Sequence, residues 1–252
     1  MRQVLCLDIG NSSLVAARYK GKQQLARVDM GLDAIYENDE YMFSALAALA
    51  NGVKDCVYSS VSPRASNLLE ALMHAFSELR FSALTLAASG IKSTYQSAER
   101  LGSDRVANAL AAYSRFKGAC IVVDMGTATH FDVVDKDGSF LGGPIAPGLF
   151  SSMRIFRDVA THLSDFRVDG PIMPIANNTL EALNAGAQLF SIGGVEFSVA
   201  KIRQELACEA TCILTGGGAK ILGSKLECID CYWPDLTLDG LALFAERYLG
   251  KL

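Results

Sequence analysis

Apolar positions follow two rhythms along the chain. Short, nearly continuous runs read as buried strands, and longer Ala- and Leu-rich stretches read as helices. The first 29 residues carry three strands, Gln3–Ile9, Ser12–Tyr19 and Gln23–Val28, with Gly21 turning the last two. A helix over Tyr41–Asn51 and a strand over Asp55–Ser60 follow. Ser62 reads as an N-cap with Pro63 in the first helical position, opening a helix to about Leu79. Ala83–Leu86 reads as a strand, and Ser89–Arg100, which has no period, as a loop over a site. Ser103–Phe116 is an Ala-rich helix suited to close packing.

Lys117-Gly118 closes that helix and marks a domain boundary, giving domains 1–117 and 118–252. Beyond it the rhythm starts again. Strands are expected over Ala119–Asp124, Thr127–Val134 and Ser139–Leu141, with Asp137-Gly138 as a hairpin turn. A rigid Gly/Pro loop, Gly142–Gly148, leads to a helix over Leu149–Leu163 and a loop over Asp165–Pro174. Asn178–Leu206 is a long helix with a bend expected near Gly193-Gly194. A strand over Thr211–Thr215, a short helix over Ile221–Leu226 and a final helix over Leu236–Leu249 complete the chain. Three strands followed by alternating helices and strands, twice over, predict a duplicated α/β architecture.

The two halves also share a motif. Val4–Val15 and Ile121–Val134 each run from apolar residues to Asp, one apolar residue, Gly and hydroxyl or amide side chains, then apolar residues again. Asp8-Ile9-Gly10-Asn11-Ser12 and Asp124-Met125-Gly126-Thr127-Ala128-Thr129 are the two turns. Glycine lets backbone N–H groups approach an anion, Thr hydroxyls add donors, and a carboxylate can hold a cation. Asp-x-Gly is also an ordinary hairpin turn, but two copies with matching flanks read as an internal repeat, two domains of one ancestry across a phosphate site.

Composition narrows the function. Half of the 252 residues are apolar, enough for two packed cores, and a net charge of −4 with mixed signs argues against nucleic acid as the main partner. No run approaches a membrane span, and no basic region followed by a long apolar stretch marks a signal peptide. Seven cysteines spread through expected core elements read as reduced thiols in the cytoplasm.

Three further stretches carry candidate chemistry. Thr215-Gly216-Gly217-Gly218 ends a strand before a helix, which suits a base, a sugar or an anion and equally an ordinary turn. Leu101-Gly102-Ser103-Asp104-Arg105 opens a helix with Ser103 as its expected N-cap. With Asn108 it places a carboxylate, a guanidinium and an amide at one helix end, suited to taking a hydroxyl proton while holding an anionic substrate. Asp104 in the first turn can also simply complement the helix dipole. Cys208, Cys212, Cys228 and Cys231 have spacings that do not match a closed zinc site, and His130 alone reads as a packed or solvated imidazole.

In order and spacing, Asp8-x-Gly10-Asn11-Ser12, Tyr95, Gly102–Arg105, Asp124-x-Gly126-Thr127-Ala128-Thr129, Gly142–Gly148 and Thr215-Gly216-Gly217 resemble the type III pantothenate kinases, also called the Bvg accessory factor family. The resemblance covers essentially the whole chain. It implies an actin-like (ribonuclease H-like) fold of two duplicated domains, usually a homodimer. It also implies ATP-dependent phosphorylation of pantothenate, the first step of coenzyme A synthesis.

On the same resemblance, Asp8, Ile9, Gly10, Asn11, Ser12, Ser13, Leu14 and Val15 would hold ATP, with Thr127, Gly216 and Gly217. Asp124 would bind a monovalent cation, K⁺ or NH₄⁺, beside the Mg²⁺ that accompanies ATP. Tyr95, Gly102, Ser103 and Arg105 would line the pantothenate pocket, with Asp104 as general base, and Thr179 would touch substrate, from the partner subunit. Three positions depart from the family pattern: His130 stands where a Thr is usual, Ser12 replaces a common Thr, and Gly218 replaces an acidic residue. Phosphoryl transfer needs positioning and charge neutralisation more than covalent catalysis, which suits this inventory. The alternative is an accessory, regulatory protein that binds nucleotide on the same fold without turnover.

Overall fold

The computed structural model describes residues 2–61, 63–159 and 168–249. The chain forms two compact units, one of residues 1–115 and 235–252, the other of 116–234. The first division lies close to the expected boundary. The return of the C-terminal segment to the first unit differs from the sequence reading, which placed it in the second.

In the first unit, β1 (Gln3–Ile9), β2 (Ser13–Lys20) and β3 (Gln23–Gly31) form an antiparallel meander. β4 (Asp55–Ser60) and β5 (Arg80–Ala83) join parallel to β1, giving the order β3-β2-β1-β4-β5. The helices are α1 (Leu32–Glu37), α2 (Glu40–Ala50), α3 (Pro63–Ala75), α4 (Leu86–Ser89) and α5 (Ser103–Phe116). In the second unit, β6 (Cys120–Met125), β7 (Ala128–Val134) and β8 (Phe140–Gly142) form the meander, with β9 (Ile145–Pro147) also on β7. After α6 (Leu149–Val159) and α7 (Thr179–Leu206), β10 (Thr211–Thr215) and β11 (Cys231–Tyr232) add parallel strands on the far side of β6. The order β8-β7-β6-β10-β11 repeats that of the first sheet strand for strand. α8 (Ala219–Leu222) and α9 (Leu236–Leu249) complete the description.

Strand alternation sorts the first sheet's faces. Leu5, Leu7 and Ile9 pack with Leu46 of α2 and Leu72 of α3, whereas Val4 and Cys6 pack with Leu110 of α5 and Leu241 of α9. In the second sheet Ile121, Val123 and Met125 pack with Met153 of α6 and Val195 of α7. The placement of α9 has a physical cause. Its Leu238, Leu241 and Phe244 are buried, each contributing roughly 1.5–3 kcal/mol. A Cβ on Gly240 would lie 2.1 Å from the Ala107 carbonyl oxygen, so α9 approaches the Ala-rich face of α5 backbone to backbone.

Several boundaries moved for local reasons. β5 lies three residues earlier than expected, because its register pairs Asp55 with Arg80. Thr85 then caps the unexpected α4, accepting from Ala88 N–H at 3.2 Å. α1 and the two-residue β11 carried too little pattern to be expected. The Gly/Pro loop contains β9. α7 runs unbroken through Gly193-Gly194, capped by Asn178, whose side chain accepts from Glu181 N–H at 3.0 Å. The expected Ser62 cap, residues 160–163 of the expected helix and residues 165–167 of the expected loop lie outside the described residues. All seven cysteines are free, and burial pushes the Cys120 thiol up to about 11.

Candidate active site

The two repeated turns are built alike. In the first, Gly10 N–H donates to the Ser13 carbonyl at 2.9 Å, and the Ser12 carbonyl accepts from Leu32 N–H, the first residue of α1, at 2.9 Å. Asn11 and Ser12 are exposed at the tip. Ile9 and Leu14 point into the core, so they offer a ligand only backbone. Asp8, Ser13 and Val15 are half-buried. In the second, Gly126 N–H donates to the Ala128 carbonyl at 3.0 Å. The Thr127 carbonyl accepts from Gly148 N–H, just before α6, at 3.0 Å and from Ser151 Oγ at 2.6 Å. A Cβ on Gly148 would lie 2.2 Å from the Gly126 carbonyl oxygen, so only glycine permits this docking. In both units the turn is therefore fixed by an N–H at the start of the next helix.

The third glycine stretch joins the second turn. β10 runs parallel to β6 with Thr215 opposite Asp124, and Gly218 N–H donates to the Met125 carbonyl at 2.8 Å. Gly216 has φ of +88°, and a Cβ there would meet Asp124 Oδ1 and Met125 N at 2.6 Å. The Asp124 carboxylate thus sits in a seat that a side chain at 216 would fill. His130 is packed rather than solvated: its Nε2 lies 3.6 Å from Asp124 Oδ2, and its Nδ1 lies 3.3 Å from Oδ1 of the fully buried Asp132. Among the described residues no three His, Cys, Asp or Glu side chains form a metal-holding cluster. A cation here would draw on one carboxylate with carbonyls, phosphate oxygens and water, an all-oxygen donor set that suits a hard cation.

The start of α5 corrects one expectation. Ser103 is the first helical residue, not the N-cap; the Gly102 carbonyl accepts from Val106 N–H at 3.3 Å. The Ser103 hydroxyl instead reaches β4, at 3.0 Å from Ser59 Oγ and 3.1 Å from Ser60 N. Asp104 Oδ1 accepts from Arg105 N–H at 2.8 Å. Arg105 and Asn108 are buried, and Asn108 Oδ1 accepts from Thr237 of α9 at 2.8 Å, so this amide serves packing rather than the helix end.

A cavity of about 1440 Å³ opens beside this helix start, lined among others by Tyr58, Ser60, Thr85, Gly102 and Ser103. Tyr95, Asp104 and Arg105 are not among its lining residues. Burial, then the neighbouring Cys56, raises the Tyr58 phenol, which stays a neutral donor at physiological pH. Tyr95 is half-buried on the loop before a 3-10 turn over Ala98–Arg100, with its N–H donating to Ser93 Oγ at 3.0 Å. Thr179 opens α7 in the second unit. The sequence gives Ser59 no role and marks Gly148 only as the end of a rigid loop and of a family motif; a Ser ending an apolar strand and a glycine before a helix are faint signals by themselves.

The type III pantothenate kinase family model matches residues 4–201. A type III pantothenate kinase from Dehalococcoides mccartyi strain CBDB1 is 33% identical over 248 residues, 95% of this chain and 94% of that one. The chain belongs to the type III pantothenate kinase family. Solved structures agree on the fold. One from Campylobacter jejuni, described as a Baf family transcriptional activator, superposes with a TM-score of 0.61 at 20% identity, covering 98% of this chain and 99% of that one. The ROK hexokinase of Thermus thermophilus gives a TM-score of 0.52 at 15% identity, covering 99% and 100%. With the repeated strand order, these likenesses make the fold a duplicated actin-like α/β fold, as the family pattern implied.

Proposed function

We propose that this chain transfers the γ-phosphoryl group of ATP to the primary hydroxyl of pantothenate, giving 4′-phosphopantothenate and ADP, the first step of coenzyme A synthesis. Its membership of the family supports the reaction, and the observation that carries the site assignment is the start of α5. There a half-buried carboxylate, Asp104, stands beside Ser103, which is tied to the end of β4, the strand next to Asp8. Asp104 takes the proton of the pantothenate hydroxyl, and the oxygen forms a bond to the γ-phosphorus as the bond to the ADP oxygen breaks. Gly102, Ser103, Arg105 and Tyr95 hold pantothenate, with Arg105 facing its carboxylate charge.

The Asp8–Val15 turn supplies N–H groups to ATP phosphates, as do Thr127, Gly216 and Gly217. Mg²⁺, when bound, neutralises charge on the phosphate oxygens, and Asp8 would hold it. Asp124 would hold K⁺ or NH₄⁺ in the seat left by Gly216.

The partner is a second copy of the chain. One face of α7 carries Phe190, 86% exposed, and Phe197, 65% exposed, alternating with Gly186, Gly193 and Gly194, where an added Cβ would meet nothing. Exposed helix-interior glycines cost about 1 kcal/mol each relative to Ala, so an approaching backbone is a reason for them. In that assembly Thr179 reaches substrate of the partner. The described residues contain no helix long and apolar enough to cross a membrane, and we assign the chain to the cytoplasm.

The test is direct. With ATP and pantothenate the protein should release ADP and yield a product one phosphoryl group heavier by mass spectrometry. Nucleotide binding without any phosphopantothenate would favour the accessory role instead.

A further inference from the structure

The two sheets share a feature that the reaction does not yet use. In each, the strand that ends in the turn carboxylate has a parallel neighbour with a buried hydroxyl at the partner position. Ser59 of β4 stands opposite Asp8 of β1, and Thr215 of β10 stands opposite Asp124 of β6. Both hydroxyls are almost wholly buried. In the first unit this hydroxyl does more than fill a place in the sheet. Ser59 Oγ lies 3.0 Å from Ser103 Oγ, which also accepts from Ser60 N–H at 3.1 Å. Ser103 is the first residue of α5, and Asp104 is the next.

We infer that Ser59 is a positioning residue for phosphoryl transfer: through Ser103 it sets the place of Asp104 relative to the Asp8 end of β1. The inference rests on the reading of Asp104 as the base. The backbone of Ser59 is fixed in the sheet opposite Asp8, and its buried hydroxyl reaches the helix start, so the residue holds two elements at a fixed spacing. A loop of half-exposed residues before α5 does not do this by itself. Attack geometry is sensitive at this scale, since a 1 Å misplacement can cost about 10²-fold in rate. Ser59 has no exposed surface, so it acts only through its neighbours.

The experiment is a double-mutant cycle on Ser59→Ala and Ser103→Ala, with Asp104→Asn measured beside it. Ser59→Ala should lower kcat about tenfold or more while the KM for ATP stays within about twofold. The double variant should be no worse than the worse single within about twofold, because the two hydroxyls act as one link. Ser59→Thr, the residue type the second sheet uses at this position, should restore at least part of kcat. A Ser59→Ala kcat within about twofold of wild type, or losses that multiply in the double variant, overturns the inference. If Ser59→Ala melts far below wild type, Ser59→Cys, which keeps the volume but weakens the hydrogen bond, decides the matter by the same kcat criterion. An Asp104→Asn protein that keeps its turnover removes the base reading. A dead Asp104→Asn protein beside an unaffected Ser59→Ala protein removes only the inference about Ser59.

Discussion

A methyl group on Gly102 would lie 2.3 Å from Oδ1 of Asp104. The carboxylate folds back over the glycine while accepting the Arg105 N–H, so its seat exists only because residue 102 has no side chain. Gly102→Ala should therefore swing Asp104 away without dismantling the core. The lost hydrogen bond is worth about 1 kcal/mol, so the melting temperature should fall only slightly. Turnover should fall about tenfold or more. Steady-state kinetics beside a thermal melt checks this, and unchanged turnover would show that the carboxylate's seat is irrelevant to chemistry.

Asp104→Asn separates two roles. As a first-turn helix residue alone, Asp104 should tolerate the change at a cost of about 1 kcal/mol or less, with turnover intact. As the base it loses its proton acceptor while keeping its shape. General-base catalysis is worth about 10²–10⁴-fold, so kcat should drop at least about 10²-fold. ATP binding should persist, because both glycine turns are untouched. Retention of more than about a tenth of wild-type kcat would return Asp104 to the helix-end role.

The cation assignment has a readout that does not depend on turnover. Potassium or ammonium should raise the melting temperature of the wild-type protein in the presence of Mg²⁺ and ATP, and sodium should not. Asp124→Ala should abolish that difference, together with the potassium dependence of the rate. Equal rates and equal melting temperatures in sodium and potassium buffers would end the proposal.

Assembly is tested on α7. A large exposed aromatic surrounded by open glycines fits the pattern of an interface anchor. Wild-type protein should scatter light as a dimer at micromolar concentration. Phe190→Glu should scatter as a monomer with its fold intact by circular dichroism, because the ring is not part of the core. A monomeric wild-type protein would remove the partner, and with it the role given to Thr179.

Local chemistry made much of this protein legible. Strand-Asp-x-Gly-turn is a short-range pattern, and its two copies signal duplication without any long-range contact. The family's motifs, in order, placed Asp104 and Asp124 among the candidates. A sequence also determines that α7 cannot be covered by one core alone, since its apolar residues occupy more than one side. Tertiary structure decided the remainder, because those features depend on residues far apart in sequence meeting in space. Ser103 has the residue type and place of a helix cap, but the end of β4 takes its hydroxyl. Asn108 lies one turn from the helix start, but its side-chain oxygen accepts from Thr237 of α9. α9 itself joined the first sheet because Gly240 lets it approach Ala107. Gly216 meets Asp124 only through the register of β10 on β6. Hydrophobic period and turn chemistry act over a few residues, whereas register, close backbone approach and buried hydroxyl pairs exist only once the sheets are assembled.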